Sequence, residues 1–232
     1  MRKYSVVLFD IDDTLLDFPR SEKEALCEAF LHFGIELDEE MILTYQKINY
    51  ELWKALERGE ITREELMVRR FSDFAKFYGF EVNSARVADD YLDCLGQKVY
   101  FIDGARELLD KLYGKVRMYI VTNGLARVQN SRYKLAEFGK IFDGMFISQE
   151  VGANKPDSAF FEYVAEHIDG FEKEKTLIVG DSLSSDIAGG INFGIDTCWY
   201  SPMGKEPKIQ PTYIVDNLLK VLPIALAEDS DE

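Results

Sequence analysis

The chain has 232 residues, 47% of them hydrophobic, enough for one large domain or two modest ones with a buried core. Its 42 acidic residues outnumber 27 basic ones, giving a formal net charge of −15. That balance repels nucleic-acid polymers and anionic membranes, and it admits a small anionic substrate only where cations gather locally.

The first predicted element is a strand, Ser5–Phe9, apolar and ending on Asp10. Helical patterns follow. A capping box at Ser21-Glu22-Lys23-Glu24 precedes Ala25, Leu26, Ala29, Phe30 and Phe33 at helical spacing. A second helix is predicted over 38–57, with Ile42, Tyr45, Ile48, Leu52 and Leu56 on one stripe. Thr62-Arg63-Glu64-Glu65 is a second capping box, opening a helix with Leu66, Phe74 and Tyr78, and a fourth helix fits 83–95. Beyond these, helix candidates at 104–112, 125–138, 157–167 and 186–193 alternate with strands at 116–121, 145–148, 176–179 and 197–200, with a weaker strand at 213–215. The final AEDSDE reads as a solvated tail.

Strands alternating with helices predict an α/β fold, a Rossmann-like parallel sheet covered on both faces. The gap between the first and second strands is far longer than one crossover needs, so an all-helical domain is expected to be inserted there. The expected division is a discontinuous core, 1–17 with 103–232, and a helical cap over 18–102. No segment approaches membrane-spanning length, and the apolar run behind Met1-Arg2-Lys3 stops too soon for a signal peptide. Cys27, Cys94 and Cys198 are widely spaced without a CxxC, as in a reduced, cytoplasmic protein; a monomer or weak homo-oligomer is expected.

The polar residues that follow each core strand carry the chemistry. After the first come Asp10, Asp12, Asp13 and Thr14; after the second, Thr122-Asn123-Gly124; beyond the third, Lys155; after the fourth, Gly180-Asp181-Ser182 and then Asp186. A parallel sheet brings all of them to one edge. Carboxylates without histidine or cysteine partners suit a hard cation such as Mg²⁺. A lysine, a hydroxyl and backbone amides can hold phosphate oxygens. One carboxylate can attack phosphorus, and another two residues on can act as acid and base, their Cα atoms roughly 6–7 Å apart on extended backbone.

The ordered motifs DIDDT, TNG, Lys155 and GDSLSSD resemble those of the haloacid dehalogenase-like hydrolases, over essentially the whole chain. The resemblance implies Asp10 as nucleophile and Asp12 as acid/base. It places Mg²⁺ on the Asp10 carboxylate, the Asp12 backbone carbonyl and Asp181, and phosphate on Thr122, the Asn123 amide and Lys155. Asp186 would orient Lys155 or a metal-bound water, with Thr14 in support. Many such phosphatases have glycine where this chain has Asp13. The stretches YQKINYELW, GEITREELMVRRF, EVGANKPD and SDIAGGINFGIDTCW further resemble nucleoside 5′-monophosphate phosphatases of the pyrimidine nucleotidase kind. The expected substrate is a small phosphorylated metabolite, a pyrimidine nucleoside monophosphate, with the base meeting Tyr45, Asn49, Trp53 or Arg70 in the cap.

Each motif has a plainer reading when taken alone. DIDDT could be an acidic helix cap, TNG an ordinary turn, Lys155 a surface lysine, and GGINFG a site of close helix packing. Tyr45, Trp53, Phe71, Phe74 and Phe77 are each better explained by packing within the helical bundle than by substrate contact. Rival functions are a sugar-phosphate phosphatase or mutase, a receiver-type regulatory protein and a silent phospho-ligand binder; the DxD spacing and the intact motifs favour the phosphatase.

Overall fold

The computed structural model describes residues 4–227; Met1-Arg2-Lys3 and the acidic Glu228–Glu232 lie outside the described residues. In chain order the elements are β1 (Val6–Phe9), α1 (Phe18–Leu31), α2 (Glu39–Glu57), α3 (Arg63–Tyr78), α4 (Ser84–Gly96), α5 (Ala105–Leu112), β2 (Arg117–Thr122), α6 (Ala126–Leu135), β3 (Gly144–Ile147), α7 (Ser148–Val151), α8 (Ser158–Glu166), β4 (Thr176–Gly180), α9 (Ala188–Phe193), β5 (Asp196–Tyr200), β6 (Tyr213–Val215) and α10 (Val221–Ala225). The chain divides into two compact units, Met1–Phe18 with Val99–Glu232, and Pro19–Lys98.

In the first unit six parallel strands stand in the order β3-β2-β1-β4-β5-β6. Every residue of β1 is fully buried, as expected for a strand covered on both faces. Val7 and Phe9 join one apolar layer with Leu108, Ile120 and Phe138, while Val6 and Leu8 join the other with Phe160, Val164 and Ile178. Chain progression reverses between β1 and β4, which leaves a crevice at their C-terminal ends. Asp10 follows one of these strands and Asp181 the other. The two stretches that lead to and from the insert pair with each other: Asp17 N donates to Tyr100 O at 2.8 Å and Ile102 N to Leu15 O at 3.0 Å.

The second unit is all-helical. Phe30, Tyr45, Phe71, Phe74 and Tyr91 are fully buried and form its aromatic core, with Tyr45 stacked on Phe71 at 5.4 Å between ring centres. Thr62 opens α3 as expected: its hydroxyl accepts from Glu65 N and Glu65 returns the bond to Thr62 N. The other predicted capping box is not one. α1 begins at Phe18, which puts Ser21 and Glu22 inside the helix, both buried. Phe77, expected in the bundle, is 69% exposed.

The GGINFG stretch serves packing. A Cβ on Gly190 of α9 would lie 2.6 Å from Thr197 Cγ2 and 2.7 Å from Ile178 Cγ2, both on buried strand residues. Overpacking of about 3 kcal/mol should therefore exceed the gain of about 1 kcal/mol in helix propensity. Gly190→Ala is expected to lower the urea midpoint of unfolding without changing the slope; an unchanged midpoint would show that the helix can lift off the sheet at no cost.

Candidate active site

The residues expected after the strands meet at the C-terminal edge of the sheet. Lys155 is buried, and its ammonium donates to Asp10 Oδ1 at 2.7 Å, Asp186 Oδ1 at 2.6 Å and the Val121 carbonyl at 2.8 Å. Asn123 fixes the backbone behind it, donating from Nδ2 to Lys155 O and accepting from Lys155 N, both at 2.9 Å. The Asn123 side chain is thus committed to Lys155, and its role toward an anion is left to the backbone amide. Thr14 Oγ1 lies 3.5 Å from both Asp10 Oδ2 and Asp181 Oδ1 and accepts from Asp181 N at 3.1 Å.

Thr122 Oγ1 accepts two bonds, from Gly124 N at 3.0 Å and Gln129 Nε2 at 3.2 Å. With both acceptor positions used, its own proton is available to an incoming anion. Gly124 matters here for space: a Cβ would lie 2.2 Å from Gln129 Nε2. The turn dipeptide in TNG thus also lets α6 send Gln129 back beneath the loop. Asp12 accepts from Gln129 Nε2 at 2.7 Å and from Arg132 Nη1 at 2.5 Å. Trp199, at the end of β5, donates to Asp181 O at 2.7 Å. Gln129 and Arg132 carry no motif signal, since their partners are set by folding; Trp199 ends the SDIAGGINFGIDTCW stretch, but its bond to Asp181 O is likewise set by folding.

Asp10, Asp181 and Asp186 bring carboxylate oxygens within 4.8 Å of one another. Burial pushes the Asp10 carboxyl up to about 8 against the pull of Lys155, with Asp186 and Asp12 adding to the rise. Desolvation, then Asp10 and Asp186, push Asp181 well above the ordinary carboxylate range. For Lys155 burial works toward a lower value, yet Asp10 and Asp186 hold it raised. Three crowded carboxylates facing one ammonium, with oxygen donors only, suit a divalent hard cation. The Asp12 side chain is outside that trio.

Asp13 has a positive φ of 60°, a conformation routine for glycine and tolerable for aspartate. Its N–H donates to Leu16 O at 2.9 Å and its Oδ1 accepts from Phe18 N, at the start of α1, at 3.3 Å. The third acid of DIDDT therefore satisfies a turn and a helix N-terminus.

Of the residues expected to meet a base, Asn49, Arg70 and Tyr45 are buried and Trp53 is half-buried. Asn49 Nδ2 donates to Glu22 at 2.7 Å, and Arg70 Nη1 to Asn49 Oδ1 at 3.4 Å. Burial raises the Glu22 carboxyl against the opposing pull of Arg70 and Asn49. A cavity of about 570 Å³ lies at the other, N-terminal edge of the sheet, lined by Ser5, Lys115, Arg117, Asp143 and Lys175. There Lys175 pairs with Glu172 and Arg117 bonds Asp169 O, and the clustered acids and buried lysine are absent.

Acids, a buried lysine and a threonine hydroxyl gathered at the switch point of a parallel sheet are the site of a hydrolase with a Rossmann-like α/β core. The sequence model of the haloacid dehalogenase-like hydrolases matches residues 7–200, and the chain belongs to that family. It is 40% identical over 232 residues to the HAD-hydrolase YfnB of Bacillus subtilis, covering 99% of each chain. A crystal structure of YfnB bound to magnesium has a TM-score of 0.92, covering 97% of this chain and 99% of that one. Identity is 39% over 215 residues to pyrimidine 5′-nucleotidase PynA of Streptococcus pneumoniae, 91% of each chain, and 31% over 218 residues to pyrimidine 5′-nucleotidase YjjG of Escherichia coli, 93% and 95%. No helix among the described residues is long and apolar enough to cross a membrane.

The Asp13 geometry makes its own prediction. Asp13→Gly should hold stability within about 1 kcal/mol, because glycine accepts the backbone and replaces a capping side chain at small cost. Asp13→Val should lose about 1–3 kcal/mol, the cost of a β-branched residue at positive φ. Urea unfolding of the two variants checks this; equal losses would assign the position to its carboxylate alone.

Proposed function

We propose that the chain is a Mg²⁺-dependent phosphatase acting on nucleoside 5′-monophosphates, pyrimidine ones by preference, through an aspartyl-phosphate. The observation that carries the reading is the Lys155 ammonium held against Asp10 and Asp186 beside the Thr122 hydroxyl. This pairs a nucleophile with a phosphate cradle on adjoining strand ends. The names of PynA and YjjG support the substrate class.

When bound, Mg²⁺ would offset the charge of Asp10, Asp181 and Asp186 and of the phosphate. Lys155, the Thr122 hydroxyl and the Asn123 amide hold phosphate oxygens. An Asp10 oxygen bonds to phosphorus as the ester P–O bond breaks, and the departing sugar oxygen takes a proton from Asp12. Water then attacks phosphorus, giving its proton to Asp12 as the Asp10–P bond breaks and phosphate leaves. Substrate choice on this reading falls to the helical unit, with Asn49, Trp53 and Arg70 as the residues to test. The free thiols of Cys27, Cys94 and Cys198 agree with a cytoplasmic place of work.

Phosphate release from nucleoside 5′-monophosphates, deoxynucleotides and sugar phosphates, with Mg²⁺ and with EDTA, tests the proposal. Pyrimidine monophosphates should lead the panel, and EDTA should abolish release. Release from sugar phosphates alone would discard the nucleotide reading and keep the chemistry. No release from any substrate would discard both.

Two variants extend the test. Asp10→Asn should reduce kcat to background while the protein still melts cooperatively; substantial activity would remove Asp10 as nucleophile. Trp53→Ala and Arg70→Ala should change the ranking of bases, and an unchanged ranking would take substrate choice away from these residues.

A further inference from the structure

Of the acids at the catalytic edge, Asp10, Asp181 and Asp186 bring their carboxylates together, while Asp12 beside them stands apart. What keeps Asp12 apart is visible in its partners. Arg132 Nη1 binds its Oδ1 and Gln129 Nε2 its Oδ2, so each carboxylate oxygen has a directed donor. Both donors come from α6, one turn apart, and are essentially buried: Arg132 is 0% and Gln129 1% exposed. A planar guanidinium buried this deeply fixes a carboxylate more tightly than a solvated lysine would.

The second Gln129 Nε2 proton goes to Thr122 Oγ1. One amide group thereby sets the distance between the proton-transfer carboxylate and the hydroxyl that faces phosphate. Gly124 gives that amide its room.

We propose that Gln129 and Arg132 are positioning residues for proton transfer by Asp12. They hold its carboxylate beside the phosphate cradle and away from the cation-binding trio of Asp10, Asp181 and Asp186. Without them Asp12 is free to swing toward the cation as an additional ligand, and the ester oxygen loses its proton donor. This rests on the reading of Asp12 as acid/base given above.

The test compares two leaving groups in rapid-mixing experiments at saturating Mg²⁺, using Gln129→Leu, Arg132→Met, Arg132→Lys and, as reference, Asp12→Asn. The departing alkoxide of a nucleoside 5′-monophosphate needs a proton, whereas p-nitrophenolate leaves without one. Gln129→Leu and Arg132→Met should slow the first turnover of the nucleotide by about 10–100-fold, a large part of what acid–base catalysis supplies. The first-turnover burst of p-nitrophenol should stay within about 3-fold of the parent while its steady state falls, because only the later hydrolysis needs Asp12 as base. KM for the nucleotide should change little, and Arg132→Lys should recover part of the nucleotide rate.

Equal slowing of both first turnovers would overturn the proposal and leave Gln129 and Arg132 as structural supports. If Arg132→Met fails to fold, Gln129→Leu carries the same comparison without burying an unpaired charge. Leaving-group-dependent loss in Asp12→Asn alone would overturn the clamp and preserve the acid/base reading. No such dependence in Asp12→Asn would overturn that reading and the clamp with it.

Discussion

The Lys155 ammonium is the constraint around which the site is arranged. A buried ammonium must have its protons accepted, and an unpaired charge at this depth would cost several kcal/mol. Its three acceptors come from different segments: Asp10 after β1, the Val121 carbonyl on β2 and Asp186 beyond β4. Lys155 itself arrives on the segment after β3 and α7, pinned through its backbone by Asn123. One side chain thus ties together the ends of the central strands, at the edge where the expected site residues gather. Stability and pre-organisation are here the same set of hydrogen bonds.

The local electrostatics run against the charge of the molecule. A chain with net charge −15 should repel a phosphate ester, and the three crowded carboxylates make that worse at the point of reaction. Burial first, and the neighbouring carboxylates after it, raise the Asp10 and Asp181 carboxyls against the pull of Lys155. A divalent cation on those oxygens would complete the balance and turn a repulsive pocket into one that accepts a dianion. The acids at the edge therefore have separate tasks. Three crowd together where a cation would fit, and Asp12 is held aside by donors from α6.

Much of this was legible in the sequence because strand chemistry is local. An apolar run ending on a polar motif announces a buried strand and its C-terminal end, and parallel topology gathers such ends without further information. Asp10, Thr122, Lys155 and Asp186 could be brought together on that basis alone. What could not be read depends on backbone angle or on contacts distant in sequence. Asp13 looked like a surplus acid until its positive φ and its bond to Phe18 N gave it a turn and a helix end to satisfy. The capping box at Ser21 was misleading because α1 begins earlier, at Phe18, and a matching pattern inside a helix has no free N–H to cap. Gln129 and Arg132 sit on a helix that the sequence reads as amphipathic, and no local rule predicts that both of these polar side chains turn inward to an aspartate more than a hundred residues away.

The helical unit shows the same limit from another side. Spacing placed Tyr45 on an apolar stripe, and its aromatic face invited a stacking role. In the fold that face is covered by Phe71, with Phe74 and Tyr91 packed around it. A base could stack there only by opening the core. Arg70 is different: its guanidinium lies 4.9 and 4.8 Å from the Phe71 and Tyr91 ring centres, and one edge reaches Asn49. Asn49 in turn neutralises part of the cost of burying Glu22. A trio of this kind adds little stability over an apolar replacement, because desolvation consumes most of the attraction. Its two hydrogen bonds link α1, α2 and α3. Trp53, half-exposed on α2, is then the aromatic among those expected to contact substrate that keeps a surface to offer.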